Sequence, residues 1–153
     1  MMPLSSELFT LENELFKGAE KNINRRMIKN FLIVSFTGKN NLIGLMIDNN
    51  FFIKKFQTNI KNNELLMNNI FQFIKEKNVN IDKKFSIIIN LGPGSFSGIR
   101  ISLAIGKGIK ISTGAKLYGY NDASLDQFNR KNIELLIKKN LIEKSLIKPV
   151  YLS

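Results

Sequence analysis

Leu91-Gly92-Pro93-Gly94-Ser95-Phe96-Ser97-Gly98-Ile99-Arg100-Ile101 follows the apolar run Phe85-Ser86-Ile87-Ile88-Ile89-Asn90 and opens a segment of helical character that reaches Thr113. A short apolar run of this kind reads as a buried strand, so the quoted stretch sits where such a strand turns into a helix. Pro93 fixes one backbone angle, Gly92 and Gly94 permit conformations barred to other residues, and Ser95 or Ser97 caps the helix start. The product is a sharp, rigid corner. Phe96 is then held either into the core or outward toward a partner.

Strand-to-helix corners commonly bind phosphate, because free backbone N–H groups at a helix start attract anions. This corner lacks the specific fingerprints. Gly98 is followed by Ile99 and Arg100, where a P-loop requires Lys and then Ser or Thr, and the spacing of Gly92, Gly94 and Gly98 misses the dinucleotide pattern by one residue. Phe96 stands where a nucleophile elbow would place its serine.

The following helix carries two rows of small residues at spacing four, Gly98-Ser102-Gly106 and Ala104-Gly108-Ser112. An interior glycine costs a helix about 1 kcal/mol relative to alanine, and close approach of another backbone is the usual compensation. The rows predict one side packed on a sheet and another on a second helix. Upstream, Glu64 to Lys77 reads as a helix whose Leu65, Leu66, Met67, Ile70, Phe71, Phe73 and Ile74 sweep an arc wider than the ~100° of a one-sided surface helix. One face on the sheet and another on a partner accounts for that excess.

Around these elements, Phe31 to Thr37, Leu42 to Ile47 and Phe51 to Gln57 read as short strands joined by tight turns, an antiparallel meander. A further strand spans Lys116 to Tyr120, and a third helix is expected to begin near Asp122. Three strands followed by helix, strand, helix, strand and helix describe an α/β fold of ribonuclease H-like layers, with helices on the faces of a mixed sheet. Residues 27–130 form that domain. Residues 1–26 are read as an extension with apolar positions Leu8, Leu11, Leu15 and Phe16, either a loosely attached helix or a segment of little weight in the fold, and Met27 is an alternative start. Residues 131–153 are read as a reduced C-terminal segment.

Composition narrows the chemistry. A chain of 153 residues with 44% hydrophobic content suits one domain with a real core. No apolar run approaches the ~20 residues of a membrane span, and the first residues do not read as a secretory signal; a cytoplasmic protein is expected. The chain contains neither cysteine nor histidine, which removes disulfides and thiolate or imidazole metal sites, and serine–histidine triads with them. Any catalysis would fall to carboxylates, lysine, tyrosine or backbone donors. The balance of 23 basic against 12 acidic residues, +11 formally, favours encounter with a polyanion such as RNA. Lysines dominate that excess and are scattered, and a coding bias toward Lys, Asn, Ile and Phe produces the same balance without a ligand.

Gly92 through Ile101, after an apolar strand and before a small-residue helix, closely resembles the signature of the bacterial TsaB (YeaZ) family, in which the second serine of the motif is usually threonine. The likeness runs from about Phe31 through Phe128, and Pro149-Val150-Tyr151-Leu152 resembles the family's carboxyl-terminal tail. The resemblance implies an actin-like (ASKHA), ribonuclease H-like fold and a non-catalytic role in forming N6-threonylcarbamoyladenosine on tRNA. It implies a cytoplasmic heterodimer with the catalytic TsaD-like transferase subunit, sometimes joined by a TsaE-like ATPase, with ATP and magnesium on the partner and tRNA bound within the complex; whether the chain alone is a homodimer is left open by the sequence. Ser35 and Phe36 stand where the family ends its first strand in Asp-Thr, Asn62 and Asn63 where it often has His and Ser or Thr, and most of the family's second half has no counterpart.

Family members pair through the two helices already marked by their excess apolar or small surface. The expected partner interface is therefore Leu66, Met67, Ile70, Phe71 and Ile74 on the first helix and Gly98, Ser102, Ile105, Gly106 and Ile109 on the second. Arg100 either orients the glycine corner or meets an acidic partner. No catalytic and no metal residue is expected in this chain, and a metallopeptidase is excluded for want of histidine ligands. The competing readings are a small nucleotide-binding enzyme that uses Gly92 to Gly98 as a phosphate cradle, and a tRNA-binding accessory protein.

Overall fold

The computed structural model describes residues 28–38, 40–56 and 63–144. Five strands, β1 (Phe31–Phe36), β2 (Asn41–Ile47), β3 (Asn50–Phe56), β4 (Ser86–Asn90) and β5 (Lys116–Tyr120), form one sheet in the order β3-β2-β1-β4-β5. β2 runs antiparallel to β1 and to β3, while β1, β4 and β5 run parallel to one another. The two central parallel strands are buried along their whole length, as the unbroken apolar run before Leu91 requires.

Among the described residues three α-helices flank the sheet: α1 (Asn63–Glu76), α2 (Phe96–Thr113) and α3 (Arg130–Lys138). Alternation along the strands divides the core in two. Leu32, Val34, Phe36, Ile87 and Ile89 face α1 and α2, whereas Phe31, Ile33, Ile88 and Tyr118 face α3. A sheet with both faces covered is the layered α/β solution to burying two apolar surfaces.

Local chemistry fixes the ends of these elements. Asp48 and Asn49 adopt positive φ of 48° and 67° between β2 and β3, the backbone of a tight hairpin turn that Asx residues tolerate. α2 starts on Ser95, whose Oγ accepts from the Gly98 N–H at 3.1 Å, and ends on Gly114 at φ 79°; a left-handed cap of this kind is open to glycine at little cost.

The third helix departs from expectation. Asp122–Ser124 forms a single 3-10 turn, with the Asn121 Oδ1 accepting from Ala123 N–H at 2.9 Å, and α3 begins only at Arg130, capped by Asn129. The Asn121 cap starts a turn that no apolar periodicity continues, so the chain leaves helical geometry until the second asparagine caps it again. Ile133, Leu136 and Ile137 of α3, with Ile142 beyond it, pack in the second core, so these residues share the core of the sheet. Residues 1–26 and the tail Pro149 to Leu152 lie outside the described residues.

Candidate functional site

The corner after β4 is a tight path held by polar contacts. Gly92 has φ 95° and its bond to Pro93 is cis. The Gly92 N–H donates to the Asn90 side chain at 2.8 Å, and the Gly92 carbonyl accepts from Asp122 N–H at 2.8 Å. Ser95 N–H donates to the Thr37 carbonyl at 2.9 Å. A Cβ on Gly94 would stand 2.8 Å from that of Thr37, and one on Gly98 would overlap the Phe36 carbonyl oxygen. These two glycines are required because the corner and the start of α2 rest directly on the end of β1.

Beneath the corner, Asn90 is a buried hub. Its amide nitrogen donates to Ser35 Oγ at 3.1 Å and to Asp122 Oδ1 at 2.8 Å while its oxygen holds Gly92. One side chain thereby ties together the ends of β1 and β4 and the 3-10 turn that follows β5. Tyr120 lies beside it, almost wholly enclosed. Burial pushes its phenol well above the ordinary tyrosine range, Asp122 adds to that, and Ser35 and Asn90 oppose it. The hydroxyl has no hydrogen-bond partner of good geometry, and Ser35 and Asn90 are the polar side chains beside it.

This arrangement does not favour a phosphate cradle. Three of the amides such a cradle would present, those of Gly92, Ser95 and Gly98, already serve Asn90, Thr37 and Ser95. Among the described residues no group of three or more Asp or Glu side chains is placed to hold a metal ion, and none of their helices is long and apolar enough to cross a membrane.

The two small rows of α2 part company. Gly98, Ser102 and Gly106 face the sheet, where a Cβ on Gly106 would collide with Ile89 and Leu117 and where Ser102 is fully buried, its hydroxyl donating to the Gly98 carbonyl at 2.9 Å. Ala104, Gly108 and Ser112 face outward. Among the described residues nothing beyond the helix's own backbone lies within 4 Å of a Cβ on Gly108, and the neighbouring Ile111 is 85% exposed.

Most of the expected interface is therefore enclosed. Leu66, Ile70, Ile74, Ser102, Ile105, Gly106 and Ile109 are buried in the chain's own core and present no surface to a partner, a correction to the sequence reading. A helical arc of apolar residues does not reveal which part of it the sheet will cover. Gly98 lies against β1, and Met67 is half-buried against the core. Of the ten, Phe71 remains plainly outward at 41% exposure, joined on α1 by Leu65 at 51%. Leu65 and Ile111 are the outward apolar residues that the expected interface missed; the signal available for Ile111 was its place beside the Ala104-Gly108-Ser112 row.

At the corner, Phe96 points outward at 51% exposure, and the Arg100 guanidinium lies over its ring at 5.0 Å from the centroid, a cation–π pair. Pro93 and Ser97 are exposed and Ser95 is half-buried at the cap. An exposed strip of α2 thus carries Phe96, Arg100, Ala104, Gly108 and Ile111 in order.

No family model and no curated protein sequence matches the chain. Solved structures do. YeaZ from Pseudomonas aeruginosa superposes with a TM-score of 0.55 at 16% identity, over 63% of this chain and 45% of that one. A protein described as similar to peptidase YeaZ from Pseudomonas aeruginosa gives 0.53 at 17% identity, over 63% and 44%. The chain spans less than half the length of either, and what it shares with them is the fold of that part: an α/β layer built on a mixed five-stranded sheet.

Proposed function

We propose that this chain is a non-catalytic TsaB-like subunit, built on a ribonuclease H-like, actin-like domain, which supports a TsaD-like transferase in forming N6-threonylcarbamoyladenosine on tRNA. The signature-like corner and the structural likeness to YeaZ support the family reading, and the sheet order with β1, β4 and β5 parallel supports the domain type. In this reading the setting is cytoplasmic, ATP and magnesium sit on the transferase, a TsaE-like ATPase joins the assembly, and the lysine excess faces the tRNA.

The observation that carries the docking role is Gly108. It is an interior helix glycine with open space around it, beside Ala104 and a largely exposed Ile111. Packing within the chain gives no reason for a glycine there, whereas close approach of a partner helix does. Replacing Gly108 with leucine tests this: co-elution with the transferase subunit should be lost while the circular dichroism spectrum of the chain is unchanged. Co-elution of Gly108→Leu equal to that of the parent chain would remove the outer face of α2 from the interface.

A further inference from the structure

A second surface lies on the opposite side of the sheet, away from α2. α3 is a short helix, and beside it opens a groove of about 1170 Å³ between α3, the start of β1 and the β2–β3 hairpin. Half-buried Ile28 and Leu135 and the edges of Phe31, Met46 and Ile137 give it an apolar floor. Arg130 closes one end, bonding to Glu134 at 2.8 Å and to Asn49 on the hairpin. Lys29, Lys131 and Lys138 line the groove as exposed side chains, and among the described residues none of the three has an acidic partner. With Glu134 already paired, Asp48 is the remaining acid there, so the groove is apolar beneath and basic above.

The chain enters the domain at this groove, because Ile28 is one of its walls and 27 residues precede it. Within them Leu4, Leu8, Leu11 and Leu15 recur at the spacing of one side of a helix. Glu7, Glu12 and Glu14 accompany that stripe, and residues 7–16 contain no basic side chain. A leucine stripe with carboxylates beside it is the complement of an apolar floor with lysines beside it. The residues between Phe16 and Ile28 are enough to double back, since about 11 residues reach up to roughly 36 Å.

We propose that the acidic, leucine-striped segment from Leu4 to Phe16 seats in this groove of its own chain, with its carboxylates on Lys29, Lys131 and Lys138. The absence of cysteine makes the test direct. A nitroxide on Asn13→Cys in the full-length, isotopically labelled chain should cause loss of amide signal at Lys29, Met46 and Lys138 and leave Gly108 and Ile111 intact. The same label on a chain carrying Lys131→Glu and Lys138→Glu should cause no such loss. Three results overturn the proposal: no selective loss at the groove, undiminished loss in the charge-reversed chain, or loss seen only between labelled and unlabelled copies in a mixture, which would make a second molecule the occupant.

Discussion

Gly98 lies directly against Phe36: the smallest possible side chain on α2 would collide with the carbonyl oxygen at the end of β1. The glycine corner is therefore first a packing device, which lets a helix begin in contact with a strand backbone. Gly98→Ala should destabilise the chain by about 1–3 kcal/mol through overpacking against a backbone that cannot yield, measured by urea unfolding. Unchanged stability would show that the two elements separate easily.

Gly108 makes the opposite case on the same helix. With no heavy atom near its would-be Cβ, Gly108→Ala should raise the stability of the isolated chain by roughly 0.5–1 kcal/mol from helix propensity alone. A loss of stability would mean that this position is already packed within the monomer.

Asn90 should prove the costliest polar side chain to remove. Asn90→Ala frees the buried Gly92 N–H and deprives Ser35 and Asp122 of their shared donor. With one buried backbone donor left unsatisfied at about 1–3 kcal/mol, the total loss should exceed 2 kcal/mol by that estimate. Urea unfolding of this variant with a cost near zero would mean that water or neighbouring groups replace the hub.

Tyr120 gives a pH signature. Its phenol is held above the ordinary value by burial, so the folded chain keeps the proton more tightly than the unfolded one. The corresponding stability is present below the unfolded value of about 10 and falls as pH rises above it. Tyr120→Phe should remove that part of the alkaline loss and, because the hydroxyl has no bonded partner, should cost less than about 1 kcal/mol at neutral pH. Identical alkaline unfolding curves for parent and variant would refute the enclosure of the phenol.

Much of this architecture was legible in the residues. β-branched and aromatic runs placed β1 and β4 to within a residue or so, and the proline between two glycines placed the corner before α2, because these signals are local. The start of α3 was not legible: Asn121 and Asn129 are equally good caps, and only packing against the second core decides which one begins a helix. The packing of α2 was half legible. Spacing identified two small rows on α2, but which of them met the sheet depended on how closely Ile89 and Leu117 approach Gly106, a distance set by tertiary structure. The Asn90 hub left a faint trace as a polar residue closing an apolar strand, and its partners Ser35 and Asp122 are too distant in sequence for any pattern to connect.

The central claim is that the outer face of α2 docks on a catalytic transferase subunit. Titration calorimetry of the chain into that subunit from the same organism, with the parent and with Ile111→Glu, tests it most directly. A one-to-one complex of micromolar or tighter affinity is expected, weakened at least tenfold, about 1.4 kcal/mol, by a charge placed at the exposed isoleucine. No binding by the parent chain, or equal affinity for the two, would contradict it.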